Sequence, residues 1–179
     1  MIYTSHEMEE RAVLDAAARV CAAARTAPKT RGMDGLVTCV LTGEDKARLS
    51  ARMRELARTL DYAFFVRDAE NVDAADAVVL LGMTEKRRGL GAGCRYCRFR
   101  DCEDCAEKDG LCAWDAVDVG IAVGSAAASA ADARVDSRVM FSVGRAAMTL
   151  GLPGEQAALV LGLPLSVRGK SPFFDRKPK

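Results

Sequence analysis

Five of the chain's seven cysteines fall in one stretch, GAGCRYCRFRDCEDCAEKDGLC, running from Gly91 to Cys112. Two, four, two and six residues separate them, and only Cys21 and Cys39 lie elsewhere. Thiols two residues apart in a turn can point at one metal centre together with the local backbone N–H groups. The stretch is therefore expected to be a ligand cluster, with the rest of the chain as its holder. Clustered thiols in a reducing compartment bind metal more often than they pair, and an odd count of seven fits disulfides poorly.

Composition limits what can be built around that stretch. A chain of 179 residues, half of them apolar, can bury one sizeable core and is short for two. One domain over residues 1–179 is expected, with residues 84–112 as a cysteine-rich, metal-binding insert. Lys and Arg total 26 against 25 for Asp and Glu, a formal charge of +1. That balance supplies no bulk attraction to nucleic acid or to an anionic membrane. MIYTSHEMEE has neither a basic nor an apolar leader region, and no run of about 18 uncharged apolar residues follows, so a soluble cytoplasmic protein is expected.

Along the chain, Thr4 and Glu7 make a capping box, after which Met8, Ala12, Val13, Ala16, Val20, Cys21 and Ala24 recur at helical spacing. A helix from Ser5 to Arg25 follows, closed by Pro28 and Gly32. LVTCVL, Leu36 to Leu41, reads as a buried strand. Cys39 inside it, and Cys21 on the helix, are expected to be small buried hydrophobes. Asp45 to Leu60 predicts an amphipathic surface helix with Leu49, Met53, Leu56 and Leu60 inward. Tyr62 to Val66 and Ala77 to Leu81 read as two further strands, with Gly82 ending the second. Lys86, Arg87, Arg88, Arg95, Arg98 and Arg100 mark a basic, solvated loop. Trp114 to Ala131 is an Ala- and Gly-rich helix with Val117, Ile121, Gly124 and Ala128 on one stripe. Ser137 to Leu150 predicts another helix, stopped by Gly151 and Pro153. AALVLGLPL, from Ala157 to Leu165, is a last strand, and Phe173 and Phe174 follow in a basic tail. Continuous apolar strands imply a sheet buried on both faces by helices.

Four thiolates suit either a [4Fe–4S] cluster or a tetrahedral zinc ion. Structural zinc sites commonly set two Cys-x2-Cys knuckles about 12 to 20 residues apart so that each forms its own turn. Cys94, Cys97 and Cys102 stand too close for that, which favours iron–sulfur over zinc and over unligated, redox-switching thiols. Cys94 and Cys97 are the first two ligands. Cys102 and Cys112 are the choice for the others, with Cys105 as the alternative ligand. A ligand just before Trp114 would pin the insert to the core, whereas Cys105 would close the loop on itself.

The run GLGAGCRYCRFRDCEDC, the segment LCAWDAVDVGIAVGSAAASAADARVDSRVMFSVGRAAMTLGL and the tail GLPLSVRGKSPFFDR resemble a family of uncharacterised prokaryotic proteins described as containing a ferredoxin domain. The resemblance implies a [4Fe–4S] cluster on Cys94, Cys97, Cys102 and Cys112, and implies no particular reaction. Arg95 and Arg98 stand where small residues often follow the family's first cysteines. AARTAPKTRGMDGLVTCVLTGEDKARL and DVGIAVGSAAASAA are in turn similar to the opening and central helices of flavin-dependent nitroreductases. That likeness implies an α+β fold, a nitroreductase-like α/β sandwich carrying a Cys-rich iron–sulfur insert, and a homodimer with FMN at its interface. The Arg-x-Ser-x-Arg motif that grips the flavin phosphate in those enzymes has no counterpart near this N-terminus. Arg31, Lys170 and Arg176 are the cationic candidates for a phosphate.

Two functions from different classes follow. One is an electron-transfer protein or redox enzyme of unknown substrate and redox partner, with the flavin link that the fold likeness implies. The other is a partner-binding or redox-sensing protein in which an iron–sulfur cluster or zinc ion is a staple. His6, the only histidine, is expected to be solvated in the first helical turn, and no Gly-x-Ser-x-Gly or phosphate-cradling loop suggests hydrolysis. Asp115, Asp118, Asp132 and Asp136 read as helix-start and surface residues.

Overall fold

Thr4 Oγ1 accepts a hydrogen bond from the Glu7 N–H at 3.3 Å while Glu7 Oε2 accepts from the Thr4 N–H at 2.7 Å, so the capping box forms as expected. It opens helix α1, Ser5–Thr26. A computed structural model describes residues 1–85 and 87–174; Lys86 and Arg176 therefore lie outside the described residues. Strand β1, Leu36–Leu41, is followed by α2, Gly43–Thr59, and α3, Phe64–Ala74. Strand β2, Ala77–Thr84, leads into the cysteine-rich segment, which contains a short helix α4, Cys102–Glu107. The chain then forms α5, Ala113–Asp132, a two-residue strand β3, Asp136–Ser137, α6, Phe141–Thr149, and β4, Ala157–Ser166.

The four strands make one antiparallel sheet in the order β1-β2-β4-β3, with Leu80 of β2 opposite both Cys39 and Gly162. Alternate residues of β2 enter two cores. Val79, Leu81 and Met83 meet Val13, Val20 and Ala24 of α1 and Val119, Ala122 and Ala126 of α5. Val78 and Leu80 meet Leu49 and Met53 of α2, Phe65 and Val72 of α3, and Val143 and Ala147 of α6. Both faces of the central strand are thus buried, which is why AVVLL carries no polar alternation. Each fully buried Val or Leu contributes about 1.5–3 kcal/mol. No helix among the described residues is long and apolar enough to cross a membrane.

Three expectations are corrected. Tyr62 to Val66 is not a strand, because Phe65, Ala69 and Val72 recur at helical spacing and are fully buried in α3, while Tyr62, Phe64 and Val66 stay exposed. Gly82 does not end β2. It pairs with Val37 and Val160, beneath Pro153, and the strand continues to Thr84. The helix expected from Ser137 begins only at Phe141, since Asp136 and Ser137 pair with β4 and Met140 bridges to Gly162. In the tail, Phe173 is buried against the second core and Phe174 is exposed.

Helix α6 lies directly on β4 because two glycines remove the side chains between them. A Cβ on Gly144 would overlap the Val160 carbonyl, and one on Gly162 would overlap Val143. Gly144→Ala is therefore expected to destabilise by about 1–3 kcal/mol or more, since backbone rather than a flexible side chain must move. The urea unfolding midpoint measures this; an unchanged midpoint would show that α6 is not seated so closely.

Asp76, between α3 and β2, accepts from Ser166 Oγ at 2.9 Å and pairs with Arg168 at 2.7 Å, tying the start of β2 to the end of β4. Burial alone would raise its carboxyl, but Arg168, Ser166 and the Val167 N–H outweigh this and hold it below the usual 3.8. A carboxylate whose folded pKa is depressed stabilises fully above its unfolded value and loses that contribution as pH falls through the folded value. Stability should accordingly fall with acid from about pH 4 downward. Asp76→Asn should flatten that limb of a melting-temperature profile, and a mutant with an unaltered acid slope would contradict the assignment.

Candidate metal centre

The cysteine-rich segment is fixed at both ends before any cysteine is considered. At its start, Arg31 Nη1 donates to the carbonyls of Arg88 at 2.7 Å and Gly89 at 3.2 Å. Arg88, expected in a solvated loop, is 1% exposed. Its Nη1 donates to the Met33 carbonyl at 2.8 Å, and its Nη2 lies 2.8 Å from both Asp115 Oδ1 and Asp118 Oδ2. Asp118 also accepts from the Thr30 N–H at 3.1 Å and Thr30 Oγ1 at 2.9 Å. The expectation of surface roles for Asp115 and Asp118 is thus wrong. Both are inward residues of the first turns of α5, buried because a guanidinium reaches them.

Between those ends, Gly91–Gly93 makes a tight turn whose Gly91 carbonyl accepts from the Cys94 N–H at 3.2 Å. Cys94 is right-handed, and Arg95 after it has φ 53°. Arg98, directly after Cys97, has φ 68°. A right-handed residue followed by a left-handed one turns successive N–H groups to the same side, making an anion-binding concavity of the kind found at phosphate and iron–sulfur sites. Glycine takes such a φ most easily, so the two arginines hold conformations in which small residues would be less strained.

Asp101 caps α4 by accepting from the Asp104 N–H at 2.8 Å. The Asp104 carboxylate is held down to about 2, chiefly by Lys108 at 2.8 Å, and also accepts from the Arg100 N–H at 3.0 Å. Asp104 thus ties Arg100 and Lys108 together within the segment.

Cys94, Cys97, Cys102 and Cys112 line one pocket, walled otherwise mainly by Arg88, Leu90, Tyr96, Phe99 and Trp114. Part of the space is open to solvent, and its walls are almost wholly apolar. Trp114 Nε1–H donates to Cys94 Sγ at 3.2 Å, and the Tyr96 ring packs 5.2 Å from the Trp114 ring. Cys112 is the N-cap of the 20-residue α5, where the positive end of the helix dipole favours a bound anion. Cys105 does not line the pocket. Its buried Sγ donates to the Gly110 carbonyl at 3.1 Å, and burial first, then the neighbouring Cys97, push its thiol up. Cys21 and Cys39 lie far outside the segment, half-buried against the two cores, and burial pushes the Cys39 thiol up to about 11.

Among the described residues, no three His, Cys, Asp or Glu side chains gather on the position of a single ion. A zinc centre needs its ligands about 2.0–2.3 Å from one point, so the zinc alternative finds no support. A multi-metal cluster asks instead for thiols spaced around a cavity, with N–H donors directed at sulfur and a dry wall. The four thiols, the Trp114 indole, the left-handed turn and the apolar lining fit that chemistry. Of the cationic candidates for an FMN phosphate, Arg31 is committed to backbone carbonyls, Lys170 lies in the tail after β4, and Arg176 is outside the described residues.

The architecture defines a nitroreductase-like α+β fold with a cysteine-lined pocket beside it. A nitroreductase of Bacteroides fragilis, solved with bound FMN, superposes with a TM-score of 0.61 at 13% identity, over 92% of this chain and 82% of that one. Nitroreductase CinD of Lactococcus lactis, solved with chloramphenicol, gives 0.58 at 14% identity, over 90% and 80%. At such identities the likeness is one of fold. A protein of Archaeoglobus fulgidus, described as uncharacterized, is 36% identical over 187 residues, covering 100% of both chains. The family described as "Uncharacterized protein containing a ferredoxin domain (DUF2148)" matches residues 108–176, which include Cys112 but not the four earlier clustered cysteines. The chain belongs to this ferredoxin-domain family.

Proposed function

We propose that this protein carries single electrons on a [4Fe–4S] cluster held by Cys94, Cys97, Cys102 and Cys112. The observation that carries the reading is that these four thiols, and no other cysteine among the described residues, line one apolar pocket. A cluster of that kind exchanges one electron at a time between a reduced donor and an oxidised acceptor, with no bond made or broken. The chain's own residues supply the setting. The turn at Cys94–Arg95 and the α5 N-terminus favour an anion. Trp114 orients the Cys94 sulfur, and Tyr96 and Phe99 limit water. The insert over residues 84–112 is then the redox part of a single domain.

The second reading, a structural or sensing staple, is favoured by the way Arg88 and Cys112 fasten both ends of the insert to α5. Anaerobic titration with dithionite and reoxidation separates the two. Electron transfer predicts a reversible one-electron change in visible absorbance; a centre that cannot be reduced and reoxidised would leave only the staple.

FMN, present in solved structures of this fold, is proposed for a dimer in which the second copy completes the phosphate grip. A second copy is the proposed cover for the outer face of α5, where Val117 and Ile121 are exposed and nothing stands near Gly120 or Gly124. Seven free thiols suit a reducing, cytoplasmic setting.

A further inference from the structure

The buried charges behind the pocket have no part in holding the thiols. Arg88, Asp115 and Asp118 are each 1% exposed or less, so they interact through a poorly screened medium. The Arg88 Nη groups are used on Met33, Asp115 and Asp118. Its Nε–H is buried and has no acceptor among the described residues, and Arg88 lines the same pocket as the four thiols.

We infer that Arg88 is a positioning residue that presents its Nε–H and its charge to the anionic occupant of the cysteine pocket, while Asp118 behind it sets how strongly that charge is felt. The inference rests on the iron–sulfur reading and adds what governs the potential of that centre. Reduction adds one negative charge to the pocket, supplied by an external reductant. A cation at the wall favours that charge and a carboxylate behind the cation opposes it. The network is also where the loop at Thr30 and Met33 meets α5. A change in that loop would therefore reach the electron without touching a thiol.

The sign of the effect separates this role from a structural one. Asp118→Asn keeps the shape and can still accept from Thr30, but removes a negative charge; its midpoint potential should shift upward. Arg88→Gln removes the positive charge, and its potential should shift downward. Wild type and variants are purified anaerobically, checked for equal iron and sulfide, and titrated with dithionite in the presence of mediators. Opposite shifts at equal iron content establish the proposal. Unshifted potentials, or shifts of the same sign as general loosening would give, overturn it. Where Arg88→Gln fails to retain iron, Asp118→Asn decides alone, and an unshifted or lowered potential overturns the proposal. Wild-type protein without iron would instead remove the iron–sulfur reading itself, before any variant is compared.

Discussion

Cys112→Ser is expected to leave anaerobically purified protein with little or no iron, while Cys105→Ser keeps its full complement. The two residues are close in sequence and chemically alike, so the contrast depends on where each sulfur points. Cys112 lines the pocket and is the N-cap residue of a 20-residue helix whose N-terminus favours a bound anion. A serine hydroxyl there is a poor soft-metal ligand and stays protonated at neutral pH. Cys105 does not line the pocket; its buried thiol donates to the Gly110 carbonyl and lies beside the Cys97 thiol, and serine can make the same bond to Gly110. Iron quantified by colorimetric assay on both variants checks the contrast. A Cys105 variant that loses iron while the Cys112 variant retains it would reverse the ligand assignment.

Arg88→Ala should be the most damaging substitution of a charged residue in the chain. It takes the shared guanidinium away from Asp115 and Asp118, 0% and 1% exposed. Removing one partner of a buried ion pair costs about 3–5 kcal/mol, because the remaining charge is left unsolvated. Against a total stability of about 5–15 kcal/mol, that is enough to lower the unfolding midpoint severely. Adding Asp118→Asn should recover part of the loss, since one of the buried charges is then gone. Urea unfolding of the single and double variants measures both. A single-variant loss below about 1 kcal/mol would mean that Arg88 is solvated, as its place in a run of basic residues first suggests.

That arginine shows where sequence reading stops. A charge run is normally a solvated face, and nothing in KRRGLGAG distinguishes Arg88 from its neighbours. The signal lies across the chain, in two aspartates one helical turn apart at the start of an otherwise Ala-rich helix. Those aspartates in turn looked like ordinary first-turn acids. Helices α1 and α2 were legible because most of their buried positions recur at helical spacing, and the α1 cap because Thr4 and Glu7 stand three apart; α5 was legible as a helix, but the stripe Val117, Ile121, Gly124 and Ala128 is its exposed face, and Val119, Ala122, Ala126 and Ala130 are buried instead. Helix α3 was not. Its apolar start, YAFFV, is too short to show a period, and its buried positions Phe65, Ala69 and Val72 are separated by charged residues. The cysteines marked the pocket unaided. Spacing alone left Cys105 and Cys112 in competition, because both could follow Cys102; the structure puts Cys112 on the pocket at the start of α5 and turns the Cys105 thiol to the Gly110 carbonyl.

The central claim, that the clustered thiols hold an iron–sulfur centre, is tested most directly by metal and sulfide analysis of protein purified without oxygen, with zinc and flavin measured on the same sample. About four irons and four acid-labile sulfides per chain are predicted, in a brown protein with little zinc. A colourless chain with no iron, or one zinc ion per chain in its place, would contradict it.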